Sequence, residues 1–176
     1  MIIAMVGLPG TGKTTLAQAL AQSLADRRAV ILSKDTVRAA LFSAEDIEYS
    51  SDQDDLCVRI TYEVAAHLLR RSPGRPIIFD GRTYSRAGQL SGLDQLAREA
   101  SVPLFLIHCI CSDETAVKRI LADVSSATHV AANRTPDLYW KLQTAADPLE
   151  RERIVVNTDK STIAEDVAEI RRQLEM

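Results

Sequence analysis

Short apolar runs punctuate the chain at 2–6, 29–33, 76–80, 103–109 and 153–157. Each run is nearly continuous rather than alternating, the pattern of strands covered on both faces. Between them apolar residues recur every three or four positions. The stretch 13–26 carries Leu16, Leu20 and Leu24; 52–71 carries Leu56, Ile60, Val64 and Leu68; 162–174 carries Ile163, Val167, Ile170 and Leu174. Such spacing puts each set on one helical face and predicts that face to be buried. A short helix after the second run, one over 113–121 and another around 138–145 complete the pattern. Strands alternating with helices predict an α/β fold with a mostly parallel sheet.

Two polar stretches break this rhythm. Residues 42–54 are acidic, and residues 125–137 are rich in Ser, Thr and Asn and end in Thr-Pro-Asp. Both read as substrate-binding or lid segments, or as plain solvated loops.

Composition narrows the class. A length of 176 residues predicts one domain, 1–176, and 46% hydrophobic with 26% charged residues is ordinary for a globular chain. The net charge of −3 argues against a broad basic surface for duplex nucleic acid, though not against a small basic pocket. No run is long enough to span a bilayer, and the apolar start reads as a strand rather than a leader, so no membrane partner is expected. Cys57, Cys109 and Cys111 are odd in number and lack zinc-site spacing, which points to packed, reduced thiols and a cytoplasmic protein. His67, in its helix, and His108, in a strand, are expected to be packed; His129 falls in the second polar stretch.

The sharpest chemistry lies between the first strand and first helix. Residues 7–14 read Gly-Leu-Pro-Gly-Thr-Gly-Lys-Thr and fit G-x-x-x-x-G-K-[ST], a phosphate-binding loop in its confirming context. Gly7, Gly10 and Gly12 let backbone N–H groups approach phosphate oxygens, and the helix that follows points its positive end at the same anion. Lys13 reaches the β- and γ-phosphates, and Thr14 offers a hydroxyl to Mg²⁺. Thr11 and Thr15, within and just beyond the motif, join the nucleotide-binding set. A dinucleotide turn would need G-x-G-x-x-G, which the glycine order rejects.

Carboxylates and arginines suggest what the loop serves. Asp35 follows the second strand, where a carboxylate opens onto the nucleotide edge and can orient or deprotonate a hydroxyl. Arg38 lies three residues on, placed to hold an acceptor phosphate, or simply to pair with a helix-capping Asp35. Asp80 closes the third strand and reads as a Mg²⁺-directed acid or a loop cap, with Arg82 and Arg86 just beyond it. The helix over 113–121 carries Lys118 and Arg119, and Arg134 falls in the second polar stretch; arginines there stabilise a transferring phosphoryl group or stay on the surface. The chain is too short for an AAA+ module with its extra helical domain, and it lacks Asn-Lys-x-Asp, the guanine-reading motif.

This order of motifs resembles the small P-loop kinases, with the polynucleotide 5′-hydroxyl kinases and their small-molecule relatives the nearest likeness. The resemblance runs along nearly the whole chain and is sharpest in the first 40 residues. It implies a three-layer α/β/α sandwich, a five-stranded parallel sheet of order 2-3-1-4-5, and a helical lid over about 119–137. It also implies that Lys13, Asp35, Arg38, Arg119 and Arg134 act in catalysis, with Arg119 over the adenine or γ-phosphate and Thr158 beside the base. One departure stands out: Asp123 occupies the place, one turn after the first lid arginine, where polynucleotide kinases carry a second.

Three functions stay open on these residues. The first is an ATP- and Mg²⁺-dependent kinase acting on a hydroxyl of a small metabolite. The others are a polynucleotide or tRNA 5′-hydroxyl kinase-like enzyme and an ATP-binding switch without acceptor. The sequence names neither the acceptor nor the oligomeric state.

Overall fold

The computed structural model describes residues 1–126 and 135–175. Its strands are β1 (Ile2–Val6), β2 (Val30–Ser33), β3 (Ile77–Asp80), β4 (Leu104–Ile110) and β5 (Ile154–Asn157). All pair in parallel in the order β2-β3-β1-β4-β5, as expected. The helices are α1 (Lys13–Ser23), α2 (Lys34–Leu41), α3 (Ser51–Arg71), α4 (Ser91–Ala100), α5 (Asp113–Ser126), α6 (Pro136–Thr144) and α7 (Ile163–Leu174).

Successive residues of β1 point to opposite faces, so one strand supplies both cores. Ile2, Ala4 and Val6 pack with Ile77, Phe79 and Leu106 against Ala65 and Leu69 of α3 and Leu93 and Leu96 of α4. Ile3 and Met5 pack with Ile78 and Ile107 against Leu16 and Leu20 of α1 and Ile170 and Leu174 of α7. The result is a three-layer α/β/α sandwich. A smaller cluster of Ala116, Ile120 and Tyr139 joins α5 to α6, and Tyr139 and Gln143 both donate to Asp113 Oδ1, at 2.5 and 2.7 Å.

Two expectations fail in α3. The predicted stripe is displaced by one residue: Cys57, Val58, Thr61, Ala65 and Leu69 are buried, whereas Leu56 and Val64 are 37% and 42% exposed. The buried face runs from Cys57 through Thr61 and Ala65 to Leu69, and Ile60 and Leu68 flank it, half-buried. The same rotation leaves His67 exposed rather than packed, while His108 on β4 is half-buried and its imidazole is pushed down by burial. His129 lies outside the described residues. Helix α4, which the periodicity did not pick out, covers the sheet between β3 and β4 in sequence.

The three cysteines are free. Burial pushes the Cys109 thiol up to about 12, so it stays protonated and inert. Among the described residues, no helix is long and apolar enough to cross a membrane.

The displaced face of α3 is testable by urea denaturation. Leu69→Ala should cost about 2–4 kcal/mol, and Val64→Ala less than about 1 kcal/mol. Comparable losses at the two positions would restore the face that the spacing predicts.

Candidate active site

Parallel pairing brings the carboxyl ends of β1, β2 and β3 to one edge. Ser33 is in register with Asp80, and the residues that follow β1, β2 and β3 are Gly7, Lys34 and Gly81. The phosphate-binding loop leaves β1 there and packs against two neighbours. Gly7 N–H donates to Thr83 O at 3.0 Å. Gly10, at φ +78°, lies so near α5 that a Cβ would stand 2.5 Å from Ala116 O. Only glycine permits both that backbone and that approach.

Lys13 is 4% exposed, and its Nζ folds over the loop to donate to Leu8 O at 2.7 Å, an oxygen that Thr11 Oγ1 also engages at 2.8 Å. Arg119 of α5 spans the other side. It donates to Gly10 O at 3.2 Å, to Thr158 Oγ1 at 2.9 Å and to Thr158 O at 3.2 Å, and Thr158 Oγ1 donates to Thr11 O at 3.3 Å. The structure therefore gathers Arg119 and Thr158 onto the loop, across 39 residues of sequence. A cavity of about 360 Å³ opens here, walled by Gly10, Gly12, Lys13, Thr14, Thr15, Arg119 and Asp123. At its base the N-terminus of α1 presents its positive dipole end, an environment suited to phosphates. Arg134 lies outside the described residues, as does much of the expected lid; residues 119–126 of it form the end of α5.

Thr14 Oγ1 donates to Asp80 Oδ2 at 2.8 Å, while Asp80 Oδ1 is buried without a hydrogen-bond partner among the described residues. An orphaned carboxylate oxygen costs free energy unless something occupies it. Asp35, Thr14 and Asp80 line one cavity of about 280 Å³. This oxygen-only donor set fits Mg²⁺, which takes one or two carboxylates, keeps several waters and completes its shell with substrate phosphates. Accordingly, no cluster of three or more His, Cys, Asp or Glu stands ready to cage a metal among the described residues.

Asp35 is held by a charge cluster that its neighbours only hint at. Its Oδ1 receives Lys34 Nζ at 3.1 Å and Arg38 Nη1 at 2.8 Å. Both cations also reach Asp54 Oδ1 on α3, Lys34 at 3.0 Å and Arg38 through Nη2. Arg38 is 2% exposed and stacks on Tyr49, 5.1 Å from its ring centroid. Arg38 thus pairs with Asp35, one of the two arrangements that its spacing left open. Burial pushes the Lys34 ammonium down; Asp35 opposes that, and Arg38 reinforces it. Asp35 Oδ2 lies beside Gly81, where a Cβ would approach to 3.1 Å at φ +92°.

Above Asp35 lies a further cavity of about 470 Å³. Lys13, Asp35 and Tyr49 meet Arg82, Arg86 and Gln89 there, and Leu138, Lys141 and Leu142 of α6 close it. Lys13 thus borders both this cavity and the one over the phosphate-binding loop. The contributions of Lys34, Asp54 and α6 were not visible in the sequence. Asp54 is 19 residues from Asp35, and nothing in the intervening acidic stretch marks its return.

Comparison with known proteins agrees with this geometry. A family model described as an AAA domain matches residues 2–123, and the chain belongs to that family. Length had argued against AAA+ modules; membership rests instead on the stretch from β1 into α5, which carries the phosphate-binding loop, Asp35, Asp80 and Arg119. No curated protein matches. Among solved structures, a candidate kinase from Chloroflexus aurantiacus is 25% identical with TM-score 0.76, covering 97% of this chain and 96% of its own. The Mycobacterium tuberculosis APS kinase in complex with AMPPNP and APS is 18% identical with TM-score 0.71, covering 99% and 97%. A gluconokinase from Sinorhizobium meliloti is 16% identical with TM-score 0.62, covering 98% and 94%. The fold is therefore that of the P-loop kinases, as the motif order implied.

Gly81 offers a structural test of the Asp35 environment. Gly81→Ala should destabilise the protein by about 1–3 kcal/mol, through strained backbone and pressure on Asp35. Gly74→Ala, with nothing within 4 Å of its Cβ, should change stability by less than about 1 kcal/mol. Equal chemical denaturation midpoints for the two variants would show that Gly81 is not constrained by Asp35.

Proposed function

We propose that this member of the AAA domain family is an ATP-dependent kinase, transferring the γ-phosphate to a hydroxyl of a small molecule. One observation carries the reading. Asp35 has one oxygen tied to two cations, and the residue lines a cavity together with Lys13. A carboxylate so anchored keeps its orientation while its second oxygen can accept from a hydroxyl. The kinase descriptions of proteins sharing this fold support the same conclusion.

The acceptor hydroxyl donates its hydrogen bond to Asp35 Oδ2. As its oxygen bonds to the γ-phosphorus, the bond to the β–γ bridging oxygen breaks, the electron pair leaves with ADP, and the proton passes to Asp35. Lys13, turning from Leu8 O, and the N–H groups of Gly10 and Gly12 hold the β- and γ-phosphates, on a loop that Gly7 and Thr11 shape through their bonds to Thr83 O and Leu8 O. Thr15 supports the phosphates at the start of α1, and Arg119 with Thr158 flanks the nucleotide. Thr14 and Asp80 would hold Mg²⁺, which when bound neutralises phosphate charge. Arg38 acts through Asp35, fixing its carboxylate. The stretch 119–137 is assigned as a lid within a single domain, 1–176, with Arg134 closing on the transferred phosphoryl group. Three free thiols and ATP as donor fit a cytoplasmic setting.

The reading is tested with labelled ATP, Mg²⁺ and a panel of hydroxyl compounds that includes 5′-hydroxyl oligonucleotides. Asp35→Asn should lower turnover by about 100-fold or more, with nucleotide affinity nearly unchanged. Full turnover in that variant would remove Asp35 from the chemistry. A wild-type protein that binds ATP but labels no hydroxyl compound would instead be a nucleotide-binding switch.

Metal dependence gives a second check. Asp80→Asn should raise the Mg²⁺ concentration for half-maximal activity by about tenfold or more. An unchanged Mg²⁺ titration would reduce Asp80 to a partner of Thr14.

A further inference from the structure

The cavity above Asp35 has a charge pattern that phosphoryl transfer alone does not require. The chain as a whole carries a net charge of −3. Among the described residues, the cavity wall nonetheless presents Lys13, Lys34, Arg82, Arg86 and Lys141 against two carboxylates, Asp35 and Asp54. Lys34 is engaged by those two acids, and Arg82 pairs with Asp55 at 2.9 Å. Arg86 and Lys141 add exposed positive charge to the part of the wall beyond the acids. A concave surface of one sign inside an acidic protein concentrates anions.

The space also extends beyond Asp35. A second cavity of about 540 Å³ shares Ser51, Asp54, Arg82, Arg86 and Gln89 with the first. Arg82 and Arg86 therefore border both chambers. An acceptor with its hydroxyl at Asp35 has room to place a second group against these two guanidiniums, whose planar forks match tetrahedral and planar oxyanions. Lys141 approaches the first chamber from α6.

On the phosphotransferase reading above, we propose that the acceptor is a small alcohol that already bears an oxyanion such as a phosphate or sulfate. Arg86 and Lys141, with Arg82, hold that group while the hydroxyl meets Asp35. These residues set selectivity and take no part in the chemical step. A neutral sugar or polyol would leave the positive wall unanswered.

The test is calorimetric and uses the whole chain. The first titration, with AMPPNP and Mg²⁺, establishes that the nucleotide site is filled; failure to bind there overturns the phosphotransferase reading, and this inference with it. The filled complex is then titrated with matched pairs, glycerol against glycerol 3-phosphate and ribose against ribose 5-phosphate, and with inorganic phosphate. The phosphorylated member should bind about tenfold or more tightly than its parent, and Arg86→Gln or Lys141→Gln should each remove about tenfold of that preference. AMPPNP affinity and thermal melting should stay unchanged in both variants. Equal binding within the pairs, or a preference that survives both substitutions, overturns the assignment while leaving the phosphotransferase reading intact. Tighter binding of a 5′-hydroxyl oligonucleotide than of every phosphorylated alcohol also overturns it, in favour of a nucleic-acid end.

Discussion

The parallel hydrogen-bonded ladder through β1 is the constraint on which the site depends. With β3 on one side and β4 on the other, β1 is buried throughout, and parallel pairing makes β1, β2 and β3 finish at the same edge. Polar chemistry that is dispersed at positions 7–14, 33–38 and 80–83 becomes one surface without any of these segments bending toward another. The alternation of β1 side chains between two cores fixes this arrangement from both faces, because a one-residue slip would turn every packed side chain to the wrong layer.

Upon that edge the protein places a group that is costly to bury. Arg38 is enclosed almost completely, and it is held there by Asp35, Asp54 and the ring of Tyr49. Replacing such an arrangement by apolar side chains is often neutral for stability, so its presence is better explained by what it does to Asp35. Two cations on one oxygen fix the rotamer of Asp35, and with it the direction of the second oxygen. The loop that Gly81 carries over Asp35 completes that restriction, because no larger residue fits there without strain.

Much of this was legible in the sequence because strands and phosphate-binding loops are local signals. The five apolar runs became the five strands with ends shifted by at most one residue, and Lys13, Thr14, Asp35 and Asp80 converged as their positions suggested. Burial within α3 was less legible. Leu56 and Val64 are apolar yet exposed, because the buried face of α3 runs one residue on, through Cys57, Thr61, Ala65 and Leu69, and apolar spacing alone does not separate two adjacent stripes. Helix α4 escaped notice because its apolar set, Leu93, Leu96 and Ala97, spans barely more than one turn. The partnership of Arg38 with Asp54, and the arrival of α6 over the acceptor cavity, depend on how distant segments fold back. Spacing along the chain carries no record of that.

The close approach of Gly10 to the Ala116 carbonyl has a consequence for how such a protein can diverge. At Gly7 and Gly10 backbone meets backbone at distances that admit no side chain, so a substitution at either is strained. On the other side, the cavity is bordered by the tips of Arg86, Gln89, Leu138, Lys141 and Leu142, carried on a loop and on a short helix that Asp113 anchors. Those tips can be exchanged without moving a main-chain atom of the loop that binds phosphate. One half of the site is closed to drift and the other open to it, a division that would let a lineage change what the cavity admits while the loop between β1 and α1 stays the same.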